Sequence, residues 1–331
     1  MKKKFLKLLM VLAVTMNIYG CKPVRTKVAY TVYPIRFLID YLSGSQIDAL
    51  PVQDENCIVQ RAVLSEDAEE ILSNSIVFFH IGTLEPYLTV NQNLIVNSGA
   101  QMYDLSTLNA VYRFQRYTQV VTDGDVTYIE SPYYRSDAFR QVDTDTLDLY
   151  LWNDPISMLS IAKDIKDWLV KTYPEDEALF TENLRRLETD LINIDAAYQA
   201  LATSLINNKQ EIRFVSMTAS FGNWQKTYGF QVYPVILSKY GAFPTPSQLE
   251  AIKARILTDN VRYIVYEPNM TDDMKVLFEQ LETELGLTRV ELSNLSSLTD
   301  TEELEGKDYL SVMWENLSVL ETMKTDISGG E

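Results

Sequence analysis

The sequence predicts an α/β protein of two lobes, each built on a mostly parallel sheet flanked by helices, with one long helix joining them. Three observations carry that expectation. Short β-rich runs alternate with helical segments on both sides of the chain's middle, and such alternation implies parallel sheets. Between the halves, the pattern from Pro155 to about Asn207 is helical throughout. The 331 residues also exceed what one hydrophobic core normally holds, which favours two lobes. The expected division is 1–20 as a signal segment, 21–174 as the N-terminal lobe, 175–207 as the linking helix and 208–331 as the C-terminal lobe.

Taken in order, Val28 to Val32 reads as a strand ending at Pro34, followed by a helix through Leu42. Ser65-Glu66-Asp67 is expected to cap the next helix, with acidic side chains at the end the helix dipole favours. Ile76 to Phe79 is a short, continuously apolar run of the kind a buried parallel strand shows. Val111 to Arg140 is Tyr-rich, and Asp123-Gly124-Asp125 within it is a hairpin-turn signal. Asp154 followed by Pro155 opens a helix that Pro174 breaks. A second helix then runs roughly from Glu175 to Leu205, with Leu179, Leu184, Leu187, Leu191, Ile194 and Leu201 at mostly helical spacings. At about 1.5 Å per residue it reaches roughly 45 Å, enough to run the length of a lobe or to bridge two. After the turn Asn207-Asn208-Lys209, Ile212 to Met217 is a strand and Thr218 to Tyr228 a helix stopped by Gly229. Val261 to Tyr266 is another strand. Thr271 to Leu285 is a helix ended by Gly286, and Tyr309 to Met323 a final amphipathic helix.

The N-terminus speaks to location. Lys2, Lys3, Lys4 and Lys7 accompany an apolar run from Phe5 to Met16 that is too short to span a bilayer and is flanked as a secretory signal is. Ile18-Tyr19-Gly20-Cys21 closes it, and this resembles the lipobox of bacterial lipoproteins, whose Cys becomes the lipidated, palmitate-bearing N-terminus. The alternative is an ordinary signal peptide followed by an incidental Cys. The lipid reading anchors the chain through Cys21 on the extracytoplasmic face of the cell membrane. With Cys21 so committed only Cys57 remains, and no internal disulfide can form. A net charge of −17 argues against nucleic acid or anionic lipid as a partner of a basic surface. A monomer is expected.

Catalytic readings find little support. One His removes most His-based triads, and the chain has no Gly-rich phosphate loop, no G-x-S-x-G and no C-x-x-C. Asp143 with Asp145, and Asp272 with Asp273, read as solvated loop or helix-start charges.

Several segments resemble, in order, the zinc/manganese-type solute-binding proteins of ABC transporters. Phe214-Val215-Ser216-Met217-Thr218-Ala219-Ser220-Phe221-Gly222, with Tyr228-Gly229 following, is similar to that family's V-T-S-H-x-A-F-G and Y-G-L. Thr31-Val32-Tyr33-Pro34 resembles the opening strand and turn, and the segment from Phe79 to Leu88 resembles Y-N-G-x-G-x-E-x-W-L. Leu151 to Pro155 resembles W-L-D-P, Pro244 to Leu249 resembles E-P-S-x-x-Q-L, and Tyr266-Glu267-Pro268 resembles F-E-P-Q. The stretch from Gly306 to Leu317 resembles the closing G-x-x-Y-L-x-x-M-x-x-N-L. The resemblance implies a periplasmic-binding-protein-like fold of the metal-binding type. It also implies zinc or manganese as transported ligand in the interlobe cleft, and docking on an ABC transporter permease.

The metal ligands do not carry over. Aligned without gaps back from Asp67, the family's first ligand His falls at Val59. The second falls at Tyr150, the position after V-T-S is Thr218, and the second-lobe carboxylate falls near Glu267 or Thr271. Val, Tyr and Thr do not normally bind zinc or manganese at neutral pH. A shifted set of Cys57, His80 and Glu267, with Asp54 and Glu55 nearby in sequence, is chemically adequate for zinc. Alternatively, Tyr150 and Trp152, with Tyr87, Tyr133 and Tyr134 around the mouth, would suit an organic solute. A third reading is a surface interaction lipoprotein, an adhesin, that kept the fold.

Overall fold

The structure, a computed structural model, describes residues 27–54, 58–107, 118–122, 125–130, 137–139, 142–144 and 147–327. The first lobe contains β1 (Lys27–Tyr30), α1 (Tyr33–Ser43), β2 (Asp48–Pro51), α2 (Ala68–Ser73), β3 (Val77–His80), α3 (Tyr87–Val90), α4 (Gln92–Asn97) and β4 (Gln101–Asp104). Its sheet runs β2-β1-β3-β4, all parallel. The run Val77 to Phe79 is buried at every residue, as a strand covered on both faces must be. Ser65 does not cap α2: its hydroxyl donates to Asp67 Oδ1 at 2.8 Å, and the acidic residues of the first turn are Glu69 and Glu70. A separate antiparallel hairpin, β5 (Thr118–Thr122) with β6 (Asp125–Glu130), flanks the expected turn, whose residues 123 and 124 lie outside the described residues.

Asp154 caps α5 (Pro155–Thr172), accepting from the Ser157 amide at 2.8 Å. A 3-10 turn at Pro174–Asp176 then leads into α6 (Glu177–Asn208), about 48 Å long at the usual rise. Leu187, Leu191, Ile194, Tyr198, Leu201 and Leu205 form its buried stripe. That stripe packs on α1 and α5, and the Tyr198 hydroxyl donates to Met313 O in the final helix at 2.8 Å.

The second lobe holds β7 (Gln210–Glu211), β8 (Arg213–Ser216), α7 (Gly222–Tyr228), β9 (Gln231–Pro234), α8 (Pro246–Thr258), β10 (Tyr263–Tyr266), α9 (Asp272–Leu285) and β11 (Thr288–Glu291). After these come α10 (Asp300–Leu304), α11 (Tyr309–Thr322) and β12 (Thr325–Asp326). Its main sheet runs β11-β10-β8-β9, again all parallel, and β12 pairs antiparallel with β7. The helix expected from Thr218 begins only at Gly222, because the polar groups of 218–220 bond elsewhere, as described below. Gly229 and Gly286 close α7 and α9 in the left-handed conformation, at φ 75 and 62. No described helix is long and apolar enough to cross a membrane.

One large apolar cluster runs through both lobes, joining Val28 and Phe79 to Phe214, Val265, Leu292 and Tyr309. A second, in the C-terminal lobe around Val215, Tyr233 and Phe278, takes in two residues from the first half of the chain, Ile58 and Phe139.

Candidate functional site

In each sheet the strand order reverses once, between β1 and β3 and between β8 and β10. Open parallel sheets bind ligands beyond the carboxyl ends of strands at such points, where connections leaving in opposite directions open a crevice. Residues that follow β3, β8 and β9 meet at the seam between the lobes, around a chamber of about 20 Å³ lined by Leu84, Ala219 and Ile236 together with Gln60, Asp148 and Tyr150. That volume holds about one water molecule. An organic solute does not fit in it.

At the C-terminal switch point Glu267, one residue past β10, is fully buried. The Thr218 amide donates to its Oε1 at 2.9 Å. The Thr218 hydroxyl, the Asn294 amide and the Ser220 hydroxyl donate to Oε2 at 2.6, 2.8 and 3.3 Å. An ionised carboxylate offers about four acceptor sites, so four donors leave it little to share with an ion. Asn294 is itself held: its Oδ1 accepts from the Ser296 amide at 3.0 Å and the Ser296 hydroxyl at 2.8 Å, and its backbone oxygen from the Trp152 indole at 2.8 Å.

At the N-terminal switch point Glu85 is fully buried beside Thr31, and neither carboxyl oxygen finds a well-formed hydrogen bond. Burial raises its pKa to about 7, the Thr31 hydroxyl offsetting this only in part. His80, 7 % exposed at the end of β3, donates from Nδ1 to Gly82 O at 2.9 Å and stacks on Phe78.

The segment aligned with the family's first ligand is a 3-10 turn, Val59–Arg61. Val59 is buried in apolar surroundings. Ile58 reaches into the apolar cluster of the opposite lobe. The Gln60 side-chain amide donates to the Tyr150 hydroxyl at 2.6 Å, leaving its buried oxygen Oε1 without a partner. Tyr150 packs on Trp152, with ring centroids 5.2 Å apart, and its backbone oxygen accepts from Asn223 at 2.9 Å. Arg61 crosses to the second lobe, donating to Gly241 O from Nε at 2.9 Å and Nη2 at 2.8 Å, and to Asp273 Oδ2 from Nη1 at 2.6 Å. Its guanidinium also lies 4.7 Å from the Phe243 ring centroid. The Thr271 hydroxyl and then Arg61 hold the Asp273 carboxyl below its ordinary range. Gly241 has φ +66, and a Cβ there would sit 2.8 Å from Arg61 Cγ, so both the turn and the close approach require glycine.

Of the residues expected at the site, Thr218 and Glu267 are bonded to each other, and Tyr150 lines the chamber. Tyr87 is buried in the first lobe, where its hydroxyl donates to Gln53 at 2.8 Å. Cys21, Glu55, Cys57, Tyr133 and Tyr134 lie outside the described residues. Among the described residues no three of His, Cys, Asp and Glu converge as metal ligands. Gln60, Ser220 and Asn294 went unread in the sequence. The switch-point rule finds Ser220, just beyond β8. Ser293 and Asn294 follow the edge strand β11, whose Thr-Arg-Val-Glu lacks an apolar run that would mark it.

The chain matches, over residues 31–323, the family described as ZnuA, the periplasmic component A of the zinc-uptake complex. The zinc-binding protein AdcA of Streptococcus pyogenes serotype M1 is 27 % identical over 184 residues, covering 56 % of this chain and 34 % of that one. The high-affinity zinc uptake system protein ZnuA of Bacillus subtilis is 23 % identical over 174 residues, covering 53 % of this chain and 52 % of that one. This chain therefore spans about a third of the length of the streptococcal relative and half that of the Bacillus one. In fold it is similar to the periplasmic zinc binding protein TroA from Treponema pallidum, with a TM-score of 0.69 at 15 % identity, covering 90 % of this chain and 99 % of that one. It is equally similar to the AdcAII protein of Streptococcus pneumoniae, with a TM-score of 0.69 at 20 % identity, covering 91 % of this chain and 100 % of that one. A match across nearly all of the two parallel sheets and the helix between them means that this chain belongs to the ZnuA family of zinc-uptake components, a family of binding proteins and not of enzymes.

Proposed function

We propose that this protein is the extracytoplasmic, lipid-anchored binding component of a metal-uptake ABC transporter, capturing its ligand between the lobes and handing it to a membrane permease. The observation that carries the reading is the family match over residues 31–323, joined to a fold in which residues following β3, β8 and β9 line one chamber between the lobes. Zinc is named for the AdcA and ZnuA relatives, and one streptococcal relative is named a lipoprotein. In this chain the site is atypical. Val59, Tyr150 and Thr218 stand at the family's ligand positions, and Glu267 is engaged by four donors from its own lobe. Zinc or manganese held by the set Cys57, His80 and Glu267 would have to displace donors from Glu267, so that set requires the pocket around it to rearrange.

The test is a metal titration of the metal-stripped protein without its signal segment, following thermal stability with zinc and with manganese. A ligand that binds only the folded state, at a hundredfold excess over its dissociation constant, adds about 2.7 kcal/mol, a rise of several degrees. The expected result is such a rise with one of the two metals, abolished by Cys57→Ser or His80→Ala. No rise with either metal sinks metal capture and leaves the family fold in an interaction role.

A further inference from the structure

The turn Ile58 to Arg61 stands where the family's first metal ligand falls, and every side chain in it makes a protein contact in or across the seam. Ile58 is buried with Val215, Tyr233 and Phe278 of the C-terminal lobe. Val59 joins the core shared by both lobes. Gln60 closes on Tyr150 at 2.6 Å beside the chamber. Arg61 makes the strongest crossing, with two hydrogen bonds to one carbonyl, an ion pair at 2.6 Å and a ring contact, all to residues 241–273. Its side chain is 27 % exposed and its two bonds to the Gly241 carbonyl are half-buried, so these are screened less than the ion pair, whose Asp273 is 53 % exposed. A bound ion joins two lobes by drawing ligands from both of them. Here a guanidinium does the same without an ion.

We propose that the turn Ile58–Arg61 is an interlobe latch, which holds the two lobes together across the cleft through Arg61 on Gly241 and Asp273. Opening of the chamber then requires Arg61 to leave the 241–243 loop. Ligand entry then waits on latch release, which slows association below the rate an open cleft would give. The glycine at 241 belongs to the device, since any side chain there collides with the arginine stem.

Hydrogen exchange measured by mass spectrometry on the full chain, without metal or permease, tests this directly. In Arg61→Ala, peptides covering 58–64 and 238–244 should exchange at least tenfold faster, while β3 and β8 peptides stay at parental rates. Arg61→Lys, which keeps the charge but cannot fork onto the Gly241 carbonyl, should fall between the two. Unchanged exchange in the two latch peptides overturns the proposal. So does a uniform rise that includes β3 and β8, because Arg61 would then stabilise the whole fold without latching it. Should Arg61→Ala fail to fold, Asp273→Asn, at an exposed partner, carries the test: it must speed exchange in both latch peptides or the proposal fails. The metal titration reads the uptake role separately, so either idea can fall without the other.

Discussion

Glu85 follows β3 with no exposed surface, and neither carboxyl oxygen makes a well-formed hydrogen bond. Burial disfavours its charged form and raises its pKa from 4.5 to about 7. The folded chain therefore holds this proton more tightly than the unfolded chain does. Its contribution is least unfavourable below about pH 4.5, worsens as pH rises to about 7, and is constant above that. At roughly 1.4 kcal/mol per unit, the cost near pH 8 is about 3 kcal/mol. Glu85→Gln keeps the shape and removes the charge. It should stabilise the protein by about 2–3 kcal/mol at pH 8 and by far less at pH 4.5, as read by urea denaturation at both pH values. An equal effect at the two pH values would show that the carboxyl does not titrate in this range. At this scale the sequence disclosed identities and withheld partners. Tyr266-Glu267-Pro268 marked Glu267, but nothing in the residue order showed that Thr218, Ser220 and Asn294 would saturate it.

Among the elements, α6 was the most legible. Its buried residues recur at alternating intervals of four and three, so one continuous stripe meets α1, α5 and α11. Leu191 is completely buried in that stripe, whereas its neighbour Ile192 is 48 % exposed. Leu191→Ala should cost about 2–5 kcal/mol, by lost transfer energy and the cavity left behind. Ile192→Ala should cost less than about 1 kcal/mol, since surface changes rarely exceed that. Similar losses at the two positions, measured by chemical denaturation, would contradict the assigned helix face. The short strands were harder to read. Asp48–Pro51, Gln101–Asp104 and Thr288–Glu291 lie at sheet edges, where polar residues are tolerated and no apolar run forms. The helix Pro246–Thr258 carried an unread signal: Thr245 and Gln248 form a capping box, with Pro246 in the first turn.

Over the whole molecule, the two sheets share one apolar cluster, and the chain crosses the seam again with Ile58, Arg61 and Phe139. That continuity ties the state of the cleft to contacts far apart in sequence. Location belongs to the same scale. The basic start, the short apolar run and Gly20-Cys21 support a lipid anchor. Cys21→Ser should move the processed protein from the membrane fraction to the soluble one. Retention in the membrane fraction would refute lipidation at Cys21.

By itself, the order of residues determined the α/β class, the long helix and the family. These rest on periodicity, turn residues and short motifs, which act over a few neighbouring positions. It also established that histidine could not supply the usual ligands, because there is only one. Only the tertiary structure decided what fills the seam. Gln60 meets Tyr150, Arg61 meets Gly241 and Asp273, and Asn294 meets Glu267 across separations of 27 to 212 residues. Such contacts depend on how two sheets twist and dock, and no local pattern encodes that geometry.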